Sequence, residues 1–222
     1  MTGAGTAPVP SQNDRVGVPD VPGAGSLHDG RSDAGPTGSF WDHDDHVGRV
    51  VVSQEEIRQR VADLGRQITT DYADRPPLLV GVLKGAFIFM ADLARAIRLP
   101  VEIDLMAIAS YGSDTTSSGV VRIMKDVDTD LVGRDVLVVE DIIDSGVTLS
   151  YLQRYMWAHR PASLEVCALL VKSGLQRREV DLRYIGFTIP PDFVIGYGLD
   201  VDQRYRNLPD ICVYRPDGAP GD

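Results

Sequence analysis

The chain has 222 residues, 43% of them hydrophobic. This is sufficient for the hydrophobic core of one enzyme-sized domain, with additional residues left for terminal tails. Its formal net charge is −10, and an acidic surface repels phosphate backbones, so no nucleic-acid partner is expected. Cys167 and Cys212 are far apart and outside any CxxC spacing, so we expect reduced, buried thiols in a cytoplasmic protein.

Residues 1–45 are predicted to form a disordered extension, because they are rich in Gly, Pro, Ser, Thr and Asp and show no apolar period. The first residues lack a basic start followed by an apolar core, so no secretory signal is expected. The stretch WDHDDH at 41–46 contains two histidines and three aspartates. No rigid element orders these side chains, so a solvated linker is favoured over a metal site.

A helix and a strand open the ordered part of the chain. Ser53 and Glu56 match a capping box, and apolar residues then recur at helical spacing until Pro76 ends the pattern. The run LLVGVL at 78–83 is typical of a buried strand, and a helix is predicted over 86–97. Charged residues interrupt this apolar region and would be costly in a bilayer, so no membrane span is expected.

The second half of the chain alternates strands and helices. Strands are predicted at 101–111, 136–140 and 163–172, with a helix at 148–159 after the second of them. This alternation predicts an α/β fold with a mainly parallel twisted sheet flanked by helices. After Gly174 the pattern becomes short and irregular, which indicates a small hood subdomain over the sheet.

The stretch VLVVEDIIDSGVTLSYL at 136–152 places adjacent acids at the end of a hydrophobic strand. In open α/β sheets, ligands bind beyond the carboxyl ends of the strands, where a loop enters a helix. Small residues at 144–148 let backbone N–H groups converge on a phosphate, while Glu140 and Asp141 suit vicinal hydroxyls or hydrated magnesium. Turn and cap residues are the alternative, but burying two acids is costly without a partner. The stretch therefore predicts a sugar-phosphate site.

This stretch resembles the phosphoribosyl pyrophosphate signature of type I phosphoribosyltransferases. Its neighbours are similar to the hypoxanthine-guanine branch of that family, in order and approximate spacing: LKG at 83–85, SYG at 110–112, LLVK at 169–172, FVIGYGLD at 193–200 and YRNLP at 205–209. The resemblance implies the type I phosphoribosyltransferase fold, with the enzyme domain at 46–215 and a disordered tail at 216–222.

The resemblance also implies roles for the acids and the loop. Glu140 and Asp141 would bind the ribose hydroxyls and take part in metal binding. Asp144 would be the general acid/base that exchanges a proton with the purine ring, although a plain helix cap is the alternative. The 5′-phosphate would be bound by the loop residues Asp144, Ser145, Gly146, Val147 and Thr148. Many family members carry a basic residue at the position of Val147, so the affinity for phosphoribosyl pyrophosphate is left open.

The pyrophosphate would be bound by Lys84, Gly85 and Arg206, because a guanidinium fits phosphate oxygens well. In the family, a non-proline cis peptide precedes the lysine, so the resemblance implies one between Leu83 and Lys84. Asp200 would help to bind a second magnesium ion. The alternatives are a lysine that simply ends a strand and a surface Asp–Arg pair that contributes little.

The purine would be bound by Lys172, Phe193 and Val194. The resemblance implies that the ammonium group donates to the 6-oxo oxygen, that the ring stacks on the base and that the valine backbone reads its edge. A solvent-reaching lysine and a core phenylalanine are the alternatives. Ser110 and Tyr111 would lie on a lid that excludes water, and an ordinary hairpin loop is the alternative for the polar stretch that follows.

The implied reaction is Mg²⁺-dependent transfer of the 5-phosphoribosyl group from phosphoribosyl pyrophosphate to hypoxanthine or guanine, giving IMP or GMP and pyrophosphate. The pathway would be purine salvage, and a homodimer or homotetramer is implied. One alternative is a nucleotide-sensing regulator that keeps the fold but binds RNA or DNA, which predicts a basic face, whereas this chain is acidic with only scattered Lys and Arg. A xanthine- or pyrimidine-preferring phosphoribosyltransferase is the other alternative.

Overall fold

The computed structural model describes residues 41, 44–110, 121–174 and 182–218. The helices and strands within these ranges are β1 (Val47–Val52), α1 (Gln54–Asp71), β2 (Leu78–Leu83), α2 (Ala86–Ala96), β3 (Glu102–Ser110), β4 (Val121–Lys125), β5 (Asp135–Ile143), α3 (Val147–Ala158), β6 (Ser163–Lys172), β7 (Tyr184–Ile189), β8 (Val194–Ile195) and β9 (Ile211–Tyr214). No helix in the described ranges is both long enough and apolar enough to cross a membrane.

A six-stranded sheet in the order β4-β3-β2-β5-β6-β7 forms the centre of the fold. The neighbouring strands from β3 through β7 pair in parallel, and β4 pairs with β3 in the antiparallel sense. β5 lies in the middle, where Val138 is opposite Val80 on one side and Val166 on the other. This sheet confirms the predicted fold class and the central position of the strand that carries the acids.

Helices cover both faces of the sheet, and the side chains of β5 show how. Leu137 and Val139 belong to the apolar cluster of α1 and α2, whereas Val136 and Val138 belong to the cluster of α3. Side chains alternate between the two faces of a strand, so a strand covered on both faces needs an unbroken apolar run. That requirement explains why VLVV precedes the acids.

The predicted capping box begins α1. The Glu56 N–H donates to Ser53 Oγ at 3.3 Å, and the Ser53 N–H donates to Glu56 Oε2 at 2.8 Å. The buried face of the helix has the predicted helical spacing, and the helix ends at Asp71, before the two prolines. Both the start and the end of this helix follow from local sequence signals.

A second, antiparallel sheet in the order β1-β9-β8 accounts for the predicted hood. The short strands after Gly174 were expected, but β1 and β7 were not predicted as strands. β1 joins this sheet by pairing with β9, where Val47 is opposite Tyr214. β7 extends the main sheet beside β6. These pairings join distant parts of the chain.

Candidate active site

A cavity of about 290 Å³ lies at the carboxyl ends of β2 and β5. Its walls come from the end of β5 with the loop into α3, the end of β2 with the start of α2, and the loop after β8. The predicted site residues that line it are Lys84, Gly85, Glu140, Asp141, Asp144, Ser145, Gly146, Thr148, Asp200 and Arg206. Neither α2 nor α3 has a side-chain cap. Two helix N-termini without side-chain caps thus meet at one cavity, and such termini attract anions.

The acid pair lies within β5 rather than after it, since the strand continues to Ile143. Glu140 is only 6% exposed. Burial, and then the charge of Asp141, raise the pKa of Glu140 well above 4.5. Burial also raises the pKa of Asp141 to about 6, although the Ile142 N–H, which donates to Asp141 Oδ1 at 2.7 Å, and Arg206 both lower it. Carboxylates in this setting need a hydroxyl donor or a cation as partner.

The loop into α3 has a conformation suited to a phosphate. Gly146 is the N-cap residue with a φ of 73°, a left-handed conformation that favours glycine. Its carbonyl oxygen accepts from the Ser150 N–H at 2.9 Å, which starts the helix. Of the predicted loop 144–148, all residues except Val147 line the cavity.

Asp144 and Lys172 form an ion pair, with Nζ 3.2 Å from Oδ2. The Lys172 side chain is 12% exposed and that of Asp144 is 53% exposed. Lys172 is the last residue of β6, which lies next to β5, so neighbouring parallel strands bring the two residues together. The structure places the predicted acid/base beside the predicted purine lysine.

A cis peptide bond joins Leu83 to Lys84, as the resemblance implied. The next residue, Gly85, has no room for a side chain, because a Cβ atom there would overlap a carboxylate oxygen of Asp141. Gly198, with a φ of 103°, also has no room for a side chain, since a Cβ atom on it would overlap the Gly85 carbonyl oxygen. Two glycines therefore let the β2–α2 turn lie directly between the acid pair and the loop after β8.

Arg206 makes several polar contacts, and one of its partners, Gln203, was not predicted from the sequence. Its guanidinium pairs with Asp200 at 2.8 Å and donates to the Gly198 carbonyl oxygen at 2.7 Å. Gln203 Oε1 accepts from Arg206 at 3.2 Å and from Lys84 Nζ at 3.0 Å. Gln203 thus connects the two predicted pyrophosphate residues. No local sequence pattern indicated this role of Gln203, because its partner Lys84 is 119 positions away from it.

The predicted purine residues lie outside the cavity lining. Phe193 is 54% exposed, and its ring meets the Tyr214 ring with centroids 5.8 Å apart. Val194 begins β8 and is opposite Val213. Ser110 ends β3, whereas Tyr111 lies outside the described residues, so the lid stays a prediction.

The carboxylates fit a magnesium ion that binds together with a phosphorylated substrate. Within the described residues, no group of three His, Cys, Asp or Glu side chains is arranged to hold a metal. Asp200 accepts from Arg206 and from the Gln203 N–H at 2.9 Å. Mg²⁺ commonly uses one or two carboxylates plus water and substrate phosphates, and the adjacent acids of β5 match that donor set.

A family model described as "Phosphoribosyl transferase domain" matches residues 51–202. A hypoxanthine-guanine phosphoribosyltransferase of Mycobacterium avium is 53% identical over 176 residues, covering 77% of this chain and 87% of the relative. One from Bacillus subtilis (strain 168) is 47% identical over 170 residues, covering 77% and 94%. A solved hypoxanthine-guanine phosphoribosyltransferase of Bacillus anthracis has a TM-score of 0.73 at 40% identity and covers 76% of this chain and 99% of its own. The chain therefore belongs to the phosphoribosyltransferase family, as the stretch at 136–152 predicted.

Proposed function

We infer that the protein has hypoxanthine-guanine phosphoribosyltransferase activity in purine salvage. It transfers the 5-phosphoribosyl group of phosphoribosyl pyrophosphate to hypoxanthine or guanine, giving IMP or GMP and pyrophosphate. The observation that carries this inference is the buried acid pair between two uncapped helix N-termini. A sugar with hydroxyls in its middle and phosphates at both ends matches that arrangement.

The phosphoribosyl end is bound along β5 and the start of α3. Backbone N–H groups at the start of α3, near Gly146, donate to the 5′-phosphate, and the helix dipole favours its charge. Glu140 and Asp141 accept hydrogen bonds from the ribose hydroxyls. These bonds replace the hydration that the carboxylates lost on burial, which favours binding.

The pyrophosphate is bound at the start of α2. Gly85 supplies backbone groups, and the cations Lys84 and Arg206 face the oxygens on which negative charge increases as the bond to the sugar breaks. Bound Mg²⁺ would add further neutralisation of that leaving group. The acid pair of β5 lies beside the sugar, where it stabilises the positive charge that develops on the ribose.

The purine is bound between Lys172 and Phe193. Lys172 pairs with Asp144. When the base binds, the ammonium group donates to the 6-oxo oxygen and Asp144 exchanges the proton on the ring nitrogen. The exposed ring of Phe193 offers a stacking face, and the Val194 backbone reads the edge of the base.

Initial rates with five bases test this function. Phosphoribosyl pyrophosphate and Mg²⁺ are supplied with hypoxanthine, guanine, xanthine, adenine or uracil, and nucleotide formation is followed. We expect turnover with hypoxanthine and guanine alone. Turnover chiefly with xanthine or uracil would refute the assignment of the base, and tight phosphoribosyl pyrophosphate binding without turnover would favour a regulator.

We also propose a cytoplasmic homodimer or homotetramer. Cys167 and Cys212 are buried and unpaired, and burial raises the pKa of the Cys212 thiol to about 11, which keeps it protonated and unreactive. Sedimentation analysis of the full chain tests the oligomeric state. The boundaries at 45 and 215 stay predictions, and limited proteolysis tests them.

A further inference from the structure

A chain of aromatic rings connects the proposed purine residue Phe193 to Trp41. The ring centroids of Phe193 and Tyr214 are 5.8 Å apart, those of Tyr214 and Tyr205 are 6.2 Å apart, and those of Tyr205 and Trp41 are 6.2 Å apart. The interplanar angles are 60°, 52° and 55° in the same order. These separations and tilts lie in the range of favourable aromatic pairs.

Hydrogen bonds and ring contacts hold Trp41 and residues 44–46 against these tyrosines. The Tyr205 hydroxyl donates to Asp44 Oδ2 at 3.2 Å. The His46 ring stacks on Tyr214 with centroids 5.9 Å apart, and its Nδ1 lies 2.9 Å from the Arg215 carbonyl oxygen. The Arg215 N–H in turn donates to the His46 carbonyl oxygen at 2.9 Å. The contacts come from both the rings and the backbone, so Trp41 and residues 44–46 are docked at several points.

Both tyrosines lie next to residues of the proposed site. Tyr214 touches the ring of Phe193 and also donates its backbone N–H to the Phe193 carbonyl oxygen at 2.9 Å. Tyr205 precedes Arg206 and has a φ of 69°, a left-handed conformation that is unfavourable for a bulky residue. The contacts of Tyr205 with Trp41 and Asp44 help to offset that cost.

We propose that Trp41 and Asp44 are positioning residues for the purine, acting through Tyr205 and Tyr214 on the ring of Phe193. The inference rests on the proposed stacking role of Phe193. A half-exposed ring that is already oriented loses less conformational freedom when a base stacks on it, and that preorganisation strengthens binding. Residues 41–46 precede the 51–202 range of the family model.

The kinetic test compares W41L and D44A with two controls. D44N keeps an oxygen that accepts from Tyr205, and W157F alters the other tryptophan, which is 49% exposed on α3. We expect W41L and D44A to raise KM for hypoxanthine by about two- to tenfold, the effect of losing one aromatic pair. KM for phosphoribosyl pyrophosphate and kcat should change by less than about twofold. D44N should restore KM for hypoxanthine, and W157F should leave it unchanged.

A double-mutant cycle separates this inference from the proposed function. If Trp41 acts through Phe193, then W41L should add little to the KM of F193L. An unchanged KM in F193L would refute the stacking role itself. A raised KM in F193L, with normal KM values in W41L and D44A, would refute only the role of the segment 41–46.

A fluorescence measurement tests the same coupling with Trp41 intact. The chain has two tryptophans, so W157F leaves Trp41 as the only one. Titration of W157F with IMP, excited where the nucleotide does not absorb, should change the Trp41 emission with the Kd found by calorimetry. Constant emission through saturation would overturn the proposal, and so would a change that persists undiminished in W157F/F193L.

Discussion

Replacement of Asp141 by asparagine is expected to stabilise the protein and to inactivate it. Burial raises the pKa of this carboxyl from 3.8 to about 6. Folding thus favours its protonated form, and above pH 6 the ionised carboxylate opposes folding. Asparagine removes the charge at nearly the same volume and still offers an oxygen to the Ile142 N–H. Activity falls because the ribose hydroxyls lose a charged acceptor.

The magnitude follows from the two pKa values. A pKa of about 6 in the folded state against 3.8 in the unfolded chain corresponds to about 3 kcal/mol of lost stability at neutral pH. Part of Asp141 still contacts solvent, so the gain in D141N should be about 1–3 kcal/mol. For a chain of this length each kcal/mol raises Tm by about 2–4 °C.

Thermal unfolding between pH 4 and 8 provides the assay. Asp141 ionises at lower pH in the unfolded chain, so wild-type stability falls relative to D141N as the pH rises from about 4 to 6 and then levels off. D74N, which changes an exposed aspartate, should give no such pH-dependent gain. The reasoning is refuted if D141N is no more stable than the wild type at pH 8, or if its advantage is constant across the range.

Three further substitutions test other parts of the site. D144N should lower kcat by about 100- to 10,000-fold with little change in KM, because it removes the proposed proton acceptor. Steady-state kinetics measures both constants, and an unchanged kcat would remove Asp144 from the mechanism. Q203M removes the oxygen shared by two cations and should raise KM for phosphoribosyl pyrophosphate by about three- to tenfold, whereas D202N, at the neighbouring left-handed position, should leave KM unchanged. G85A places a methyl group against a carboxylate oxygen and should lower both kcat/KM and Tm; retention of both would mean that the β2–α2 turn can move aside.

The sequence predicted those elements whose signals are local. The capping box of Ser53 and Glu56 located the start of α1, and the unbroken apolar run before Glu140 identified the central strand of the sheet. In open α/β sheets ligands bind beyond the carboxyl ends of the strands, so the position of the acids also predicted the edge of the sheet at which the site lies. The fold class and the acids of β5 followed from such local signals, whereas Lys84, Gly85, Asp200 and Arg206 were implied by the family resemblance.

Contacts between distant residues were not predictable in the same way. β1 contains Gly48 and Arg49 within an otherwise apolar run, and its strand conformation depends on pairing with β9 at the other end of the chain. Gln203 has an ordinary polar side chain in a loop, and its position between Lys84 and Arg206 depends on the left-handed turns around it. Sequence periodicity has no information on such pairings, because they are set by the packing of whole elements.

Two kinds of group meet at the cavity, and phosphoribosyl pyrophosphate offers partners to both. The acid pair of β5 is charged only at a cost, and the N-termini of α2 and α3 present N–H groups without side-chain caps. The two acids do not cap either helix, because both lie within β5. In the proposed complex, phosphoribosyl pyrophosphate and magnesium provide partners for both kinds of group, so the ligand should stabilise the folded state. A rise in Tm on addition of phosphoribosyl pyrophosphate and Mg²⁺ is the expected result.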